Sequence, residues 1–194
     1  MRVHPVQVAV YDSPAASGTA GTVLLVVSDS SALTSQETAK RSLIQGWGYT
    51  VNVISDTASH AAFDAAVLTS SVAYITKTVV SSSVSTKLSN APIGIVTKVS
   101  ALSDELGISE SMTTFSDNTV NIINTSHYIT SGFAAGPLTL FNASQPVRYL
   151  SGSLGAFTTL GRQVSTANST FAVMERGDTL TPNGTAADRR VSLP

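Results

Sequence analysis

Short apolar runs alternate with amphipathic segments along the first half of the chain. Residues 23–27 (Val-Leu-Leu-Val-Val) are apolar at every position, which is typical of a strand buried on both faces of a sheet. Thr34 or Ser35 caps a predicted helix that ends at the Gly-Trp-Gly of residues 46–48, and the β-rich residues 49–54 follow. This order predicts a βαβ unit with parallel strands and a right-handed crossover.

The same alternation continues as far as residue 97. Predicted short helices at residues 59–68 and 84–88 separate predicted strands at residues 72–76 and 92–97. Four strands separated by helices predict an α/β domain with an open, mostly parallel sheet.

The second half of the chain has a different pattern. Short β-like runs are separated by clusters of Gly, Pro, Asn and Ser, with little room for helices; these runs occupy residues 120–123, 138–141, 147–150, 171–174 and 190–193. We expect a β-rich C-terminal part whose strands, some of them antiparallel, extend the sheet or pack beside it.

The first 22 residues are predicted to form an extended N-terminal arm, followed by one domain over residues 23–194. Residues 6–11 (Val-Gln-Val-Ala-Val-Tyr) alternate as an edge strand would, and the Gly/Ala/Ser stretch after them is typical of a flexible linker. No apolar core of a signal peptide is visible at the N-terminus.

Composition restricts the classes of function. Lys and Arg number 11 against 12 Asp and Glu, a formal net charge of −1, so the surplus of positive charge that nucleic-acid binding requires is missing. The chain has no cysteine, which excludes disulfides, thiolate metal sites and a Cys nucleophile. Apolar runs are too short for a membrane span. Ser and Thr exceed a quarter of the residues, which is typical of exported or virion-surface proteins.

Six segments, taken in order, carry a resemblance to a known family. They are residues 23–27 with Asp29, 48–51 (Gly-Tyr-Thr-Val), 91–96 (Ala-Pro-Ile-Gly-Ile-Val), 104–107 (Asp-Glu-Leu-Gly), 127–133 (His-Tyr-Ile-Thr-Ser-Gly-Phe) and 188–191 (Asp-Arg-Arg-Val). With them, residues 23–194 resemble the class I glutamine-amidotransferase-like domains, especially the ThuA-like branch. The segment 127–133 looks like the family's His-Pro-Ile-Thr-x-Gly-Leu, with Tyr128 in place of proline. The resemblance implies a three-layer, flavodoxin-like sandwich.

The resemblance does not extend to an amidotransferase activity. Those enzymes place a Cys nucleophile on a strand-to-helix elbow, and this chain has neither a cysteine nor a Gly-x-Ser-x-Gly elbow. The family usually has a helix after the Arg-Arg-Val strand, whereas the sequence here ends at Pro194. An apolar sheet face left uncovered at that point would invite a partner.

The loop after the first strand is one candidate site. Ser28, Asp29, Ser30 and Ser31 follow that strand, and loops at the carboxyl ends of parallel strands line the ligand crevice of an open sheet. Their hydroxyls, with the amides of the following helix, offer an anion site, for example for a flavin phosphate. The other interpretation is that these residues cap the helix. The loop lacks a glycine for close approach to phosphate, and we expect no cofactor.

His127 is the second candidate. In one interpretation it is a crevice base or metal ligand working with Asp29 or Glu105; in the other it hydrogen-bonds the turn ahead of Gly132. The other histidines lie far away along the sequence, so no metal site is expected. Asp104 and Glu105 are adjacent, and neighbours on a helix do not face each other, so we expect two solvated charges.

These observations favour a non-catalytic structural or interaction module on the surface of an assembly, such as a virion decoration or capsid-associated protein or a surface-protein domain. Its expected location is the virion surface or the cell exterior. Its expected partners are proteins, contacted through the N-terminal arm and the C-terminal edge. The alternative is a ThuA-like protein that binds or hydrolyses a sugar derivative in a crevice formed by residues 28–31, residues 81–83 and His127. In that case His127, Ser28 and Asp29 are the candidate catalytic residues, and Ser30 and Ser31 add ligand contacts.

Overall fold

The computed structural model of the chain describes residues 21–194. The strands are β1 Thr22–Val27, β2 Thr50–Ser55, β3 Val72–Ile75, β4 Gly94–Thr97, β5 Ser109–Asp117, β6 Thr119–Ile122, β7 Gly136–Thr139, β8 Gln145–Leu154, β9 Thr158–Arg162, β10 Ser169–Met174 and β11 Arg190–Ser192. The helices are α1 Ser35–Gly46, α2 His60–Leu68 and α3 Ser81–Val84, with 3₁₀ turns at Ser85–Leu88 and Ser100–Leu102. Thr22 already belongs to β1, and residues 1–20 of the predicted arm lie outside the described residues.

Nine strands form one sheet in the order β2-β1-β3-β4-β11-β10-β9-β6-β7. The first five strands in this spatial order, β2, β1, β3, β4 and β11, are mutually parallel. The remaining strands, β10, β9, β6 and β7, each pair antiparallel with their neighbours in the sheet. The mixed α/β class and the β-rich C-terminal part are confirmed, but the prediction of a mostly parallel sheet is wrong. The second half of the chain has almost no crossover helices, and without them neighbouring strands pair antiparallel.

The first helix begins where the capping pattern predicts. The Thr34 hydroxyl accepts a hydrogen bond from the Glu37 N–H at 3.2 Å, and the Glu37 carboxylate accepts one from the Thr34 N–H at 2.9 Å. This reciprocal pair is a capping box. The helix ends before Gly48, which takes a φ of +91° that glycine adopts at little cost. The chain then enters β2 directly.

The sheet packs differently on its two faces. On the face that we call inner, apolar residues of the central strands pack against α2, the turns after α3 and the two-stranded β5–β8 ribbon, with Phe63, Leu88, Leu102 and Leu150 in one buried cluster. On the opposite, outer face α1 lies over β1 and β2. Farther along that face a smaller cluster joins Leu160, Val173 and Val191, and part of the sheet beyond it stays accessible.

Arg190 on β11 is the largest fully buried side chain, with 1% of its surface exposed. Its Nη1 donates to the Leu106 carbonyl at 2.6 Å, and its Nη2 donates to the Ser89 carbonyl. Among residues 21–194 no carboxylate forms an ion pair with it. Burial therefore lowers the pKa of the guanidinium. Two backbone carbonyls from separate turns replace part of its lost hydration, and its Nε is buried without a hydrogen-bond partner among residues 21–194.

Within the described range, none of the helices has both the length and the apolar character that crossing a membrane requires.

We predict that Arg190→Met lowers the free energy of unfolding by about 2–4 kcal/mol, because two buried carbonyls lose their donors. Denaturant titration of the full chain measures this change, with Arg176→Met, at an exposed arginine, as the control. Equal stability of the two variants would show that the buried guanidinium contributes nothing net.

Candidate functional site

The loop of residues 28–31 lies at the carboxyl edge of the parallel strands, as the sequence predicts. The Asp29 carboxylate accepts hydrogen bonds from the Ser31 N–H at 2.8 Å and the Ser31 hydroxyl at 2.6 Å. These bonds lower the pKa of Asp29. The Ser30 N–H donates to the Ser55 hydroxyl at 2.8 Å, which ties the loop to the end of β2. Thr34, rather than a residue of this loop, caps α1.

A second polar group at the carboxyl edge is centred on Glu37, which is almost completely buried. Besides its bonds to Thr34, its carboxylate accepts hydrogen bonds from the hydroxyls of Thr76, at 3.2 Å, and Thr78. Burial alone would raise the pKa of Glu37, but the bonds from Thr78, Thr34 and Thr76 outweigh burial and lower it. The carboxylate thus joins the start of α1 to the segment after β3, and its acceptor capacity is used within the fold.

His127 lies at the opposite, amino edge of the parallel strands. Its Nδ1 accepts a hydrogen bond from the Ile129 N–H at 3.3 Å, and its Nε2 lies 3.3 Å from Glu175 Oε1. With Nδ1 accepting, Nε2 carries the proton that is shared with the carboxylate. The Asn124 side chain accepts from the His127 N–H at 3.1 Å and fixes the same turn. Both ring nitrogens are therefore occupied by contacts within the protein.

Glu175 is held on its other side by Arg189. The Arg189 Nη2 and Glu175 Oε2 are 2.7 Å apart, and Nε donates to both carboxylate oxygens. This arginine, followed by the bond from His127, lowers the pKa of Glu175. The guanidinium also lies 4.8 Å from the ring centre of Tyr128, within cation–π range. No sequence pattern pointed to Glu175. Arg189 lies in a segment that carries the family resemblance, but no pattern in the sequence linked it to Glu175.

The strand directions keep the two predicted parts of the crevice apart. Glu175 follows the end of β10, and Arg189 precedes the start of β11, so both lie at the amino edge. Ser28 follows the carboxyl end of β1, and residues 81–83 lie in α3, which follows the carboxyl end of β3. The structure therefore brings residues 28–31 and 81–83 to one edge of the sheet and His127 to the other. His127 pairs with Glu175 rather than with Asp29 or Glu105.

Metal-ligating side chains are dispersed over the described part of the chain. Within residues 21–194 no three of His, Cys, Asp and Glu come together in a group that could hold a metal ion. His60 begins α2, and His4 lies outside the described residues.

Asp104 and Glu105 do interact, so the expectation of two separate helix charges is wrong. Residues 103–107 form turns rather than a helix, which allows neighbouring carboxyls to approach. Burial, together with the Asp104 carboxyl, raises the pKa of Glu105 to about 7, and the hydrogen bond from Glu105 lowers the pKa of Asp104. One oxygen of the Glu105 carboxyl is buried and has no hydrogen-bond partner among residues 21–194.

An apolar groove runs over the outer face of the antiparallel strands. We define it by Val120, Ile122, Ile129, Phe133, Leu138 and Phe171, which line a cavity of about 390 Å³. At the carboxyl edge the groove ends at Lys98, Leu193 and Pro194, the residues that follow β4 and β11. The sequence predicted these strands but not the groove, because the loop of residues 123–135 approaches them only in the folded chain.

Lys98 is the charged residue of the groove. Burial lowers the pKa of Lys98, and the nearby charges of Lys40 and Lys77 lower it further. None of these lysines forms an ion pair within residues 21–194. One end of an apolar surface is thus electropositive.

Comparison with known proteins gives no relative: no family model, no curated protein and no solved structure matches the chain. The ThuA-like resemblance stays a prediction, and function is inferred from the chemistry of the described residues.

The Asp104–Glu105 pair predicts a pH dependence of stability. Because the pKa of Glu105 is raised from 4.5 to about 7, the folded state binds the extra proton between these values, and stability falls as pH rises through this range. Glu105→Gln keeps a neutral side chain at every pH. We therefore expect the unfolding free energy of this variant to fall less than that of the wild type between pH about 4.5 and about 8. Denaturant titrations at several pH values, with Asp64→Asn on the exposed side of α2 as the control, measure the effect. Parallel profiles for wild type and Glu105→Gln would contradict it.

Proposed function

We propose that the chain is a non-catalytic interaction module of a larger assembly, which binds a partner polypeptide in the apolar groove. The observation that carries this proposal is the groove itself. Phe133 keeps 44% of its surface exposed there, and Leu138 is half-buried beside it. A concave apolar surface of this kind on a protein with a polar exterior is typical of a binding site.

The partner segment that fits the groove is apolar and carries an acidic group at one end. Aliphatic and aromatic side chains of the partner displace water from Ile129, Phe133 and Leu138. A carboxylate placed near Lys98 offsets the repulsion among Lys98, Lys40 and Lys77, and this complementarity fixes the direction in which the segment binds.

Three features support a non-catalytic role. The chain has no cysteine, so the nucleophile of true amidotransferases has no counterpart. The ring nitrogens of His127 are engaged by Ile129 and Glu175. A serine nucleophile needs a base within hydrogen-bond reach, and the candidate Ser28 and the candidate base His127 lie at opposite edges of the sheet.

We also propose that the parallel half is a flavodoxin-like scaffold of the ThuA-like kind. The strand order β2-β1-β3-β4-β11, with α1 and α2 on opposite faces, supports a three-layer arrangement in this half. The Ser/Thr-rich composition and low charge support a place on a virion or cell surface.

Peptide selection tests the groove directly. A displayed library of random peptides is selected on the full chain, with Phe133→Lys and Leu138→Lys as counter-selection targets. We expect the enriched peptides to combine apolar residues with Asp or Glu. Their affinity for each groove variant should be at least about tenfold lower than for the unchanged chain, a difference of about 1.4 kcal/mol in binding free energy. Leu68→Lys is the matched control, because Leu68 is an apolar residue on α2 with 83% of its surface exposed, outside the groove.

Enrichment that is insensitive to both groove variants would contradict the proposal. The alternative, a ThuA-like protein acting on a sugar derivative near His127, makes a different prediction. If the alternative is correct, sugars raise the melting temperature of the wild-type protein. This increase is lost in His127→Ala and kept in the two groove variants.

A further inference from the structure

A cleft lies between the carboxyl edge of the parallel strands and the β5–β8 ribbon. Lys77 follows β3, Lys98 follows β4 and Arg148 lies on β8, so three separate elements each contribute one cation. These side chains line one cavity of about 360 Å³, which we call the cationic cleft. The cationic cleft continues from the end of the apolar groove and shares Lys98 with it.

The positive charge of the cationic cleft is not neutralised within the described part of the chain. Among residues 21–194 no aspartate or glutamate side chain lines the cavity, and none of its three cations forms an ion pair. Two carboxyl groups border Arg148 on its other side. Of these, Asp104 is hydrogen-bonded to its neighbour Glu105, and Glu110 accepts hydrogen bonds from the Ser153 N–H and hydroxyl. The cleft therefore has the charge that an anionic ligand requires.

Lys98 is partly withdrawn from solvent, and Lys40 on α1 adds a further positive charge near it. Burial, followed by the charges of Lys40 and Lys77, lowers the pKa of Lys98. Glu37, on the same helix as Lys40, directs its carboxylate at threonine hydroxyls instead of at these lysines. An anion bound in the cationic cleft offsets the repulsion among the lysines and favours the charged form of Lys98.

We propose that the cationic cleft binds the phosphate group of a small phosphate monoester. Such a group has a charge of about −2 at neutral pH and three terminal oxygens that accept hydrogen bonds. The guanidinium of Arg148 offers a planar pair of donors to two of these oxygens, and Lys77 and Lys98 act as point charges. A single carboxylate carries one negative charge and matches three cations less well.

The remaining walls of the cationic cleft indicate the kind of organic group that the phosphate carries. Met112 from β5 and Phe141 from the segment after β7 line the cavity beside the cations, and Ser100 adds a hydroxyl-bearing residue. The volume lies near the lower end of the range for small-molecule sites, which is about 300–1,000 Å³. These features favour a small ester with an apolar or aromatic group over a phosphorylated segment of a polypeptide.

Phosphorus NMR titration of the full chain tests the cationic cleft, with phenyl phosphate as the probe at constant ionic strength. We expect saturable binding that Lys77→Gln and Arg148→Gln each weaken at least about tenfold, because each substitution removes a charged donor to the phosphate. Both side chains are exposed, so the variants keep the fold. Arg176→Gln, at an exposed arginine outside the cleft, is the matched control and binds phenyl phosphate as the wild type does. Equal affinity of the wild type and both cleft variants would overturn the proposal.

Two competing ligands define the class of compound, each measured by its displacement of phenyl phosphate. Benzoate keeps the ring but has one negative charge, and we expect it to bind at least about tenfold more weakly. A short peptide with phosphotyrosine carries the same phosphate group on a polypeptide, and we expect it to bind no more tightly than phenyl phosphate. Equal affinity for benzoate, or an affinity for the peptide at least about tenfold higher, would also overturn the proposal. Phe133 and Leu138, the residues that test the groove, lie outside the cleft, so failure of either experiment leaves the other unaffected.

Discussion

The arrangement of the whole sheet depends on the three-residue strand β11 and its buried Arg190. β11 pairs parallel with β4 on one side and antiparallel with β10 on the other, so it joins the two halves of the sheet. A guanidinium is costly to bury, and here no carboxylate within the described residues offsets the cost. The carbonyls of Ser89 and Leu106 accept its hydrogen bonds, which ties the strand to two turns on the inner face. The backbone pairing of β11 thus joins the two halves of the sheet, and Arg190 fixes this strand against those turns.

The same junction determines where the candidate functional residues lie. Because β10 runs toward the amino edge and β11 starts from it, Glu175 and Arg189 meet there, and Glu175 lies between Arg189 and His127. Ser28 and its neighbours lie at the carboxyl edge, where a parallel sheet normally binds its ligand. The polar groups at both edges are largely occupied by contacts within the protein. The accessible chemistry lies instead on the outer face, where the antiparallel strands form an apolar groove with Lys98 at one end.

Sequence patterns predicted the first half of the fold well because its signals are local. The apolar run of β1, the capping box at Thr34 and the glycine after α1 each act within a few residues. β5 and β9 had no such signal: β5 reads Ser-Glu-Ser-Met-Thr-Thr-Phe-Ser-Asp and has an exposed face, so hydrophobic alternation is weak. The Asp104–Glu105 interaction was also missed, because it depends on turns that the sequence pattern suggested were helical.

The sequence by itself determined the βαβ order, the start of α1, the β-rich second half and the absence of a cysteine nucleophile, since these follow from local propensity, periodicity and composition. Only the tertiary structure decided the strand directions around β11, the separation of His127 from Ser28, the ion pair of Glu175 with Arg189 and the groove beside Lys98. These features join residues far apart in the chain, and pairing across such distances depends on packing and strand register rather than on any local pattern.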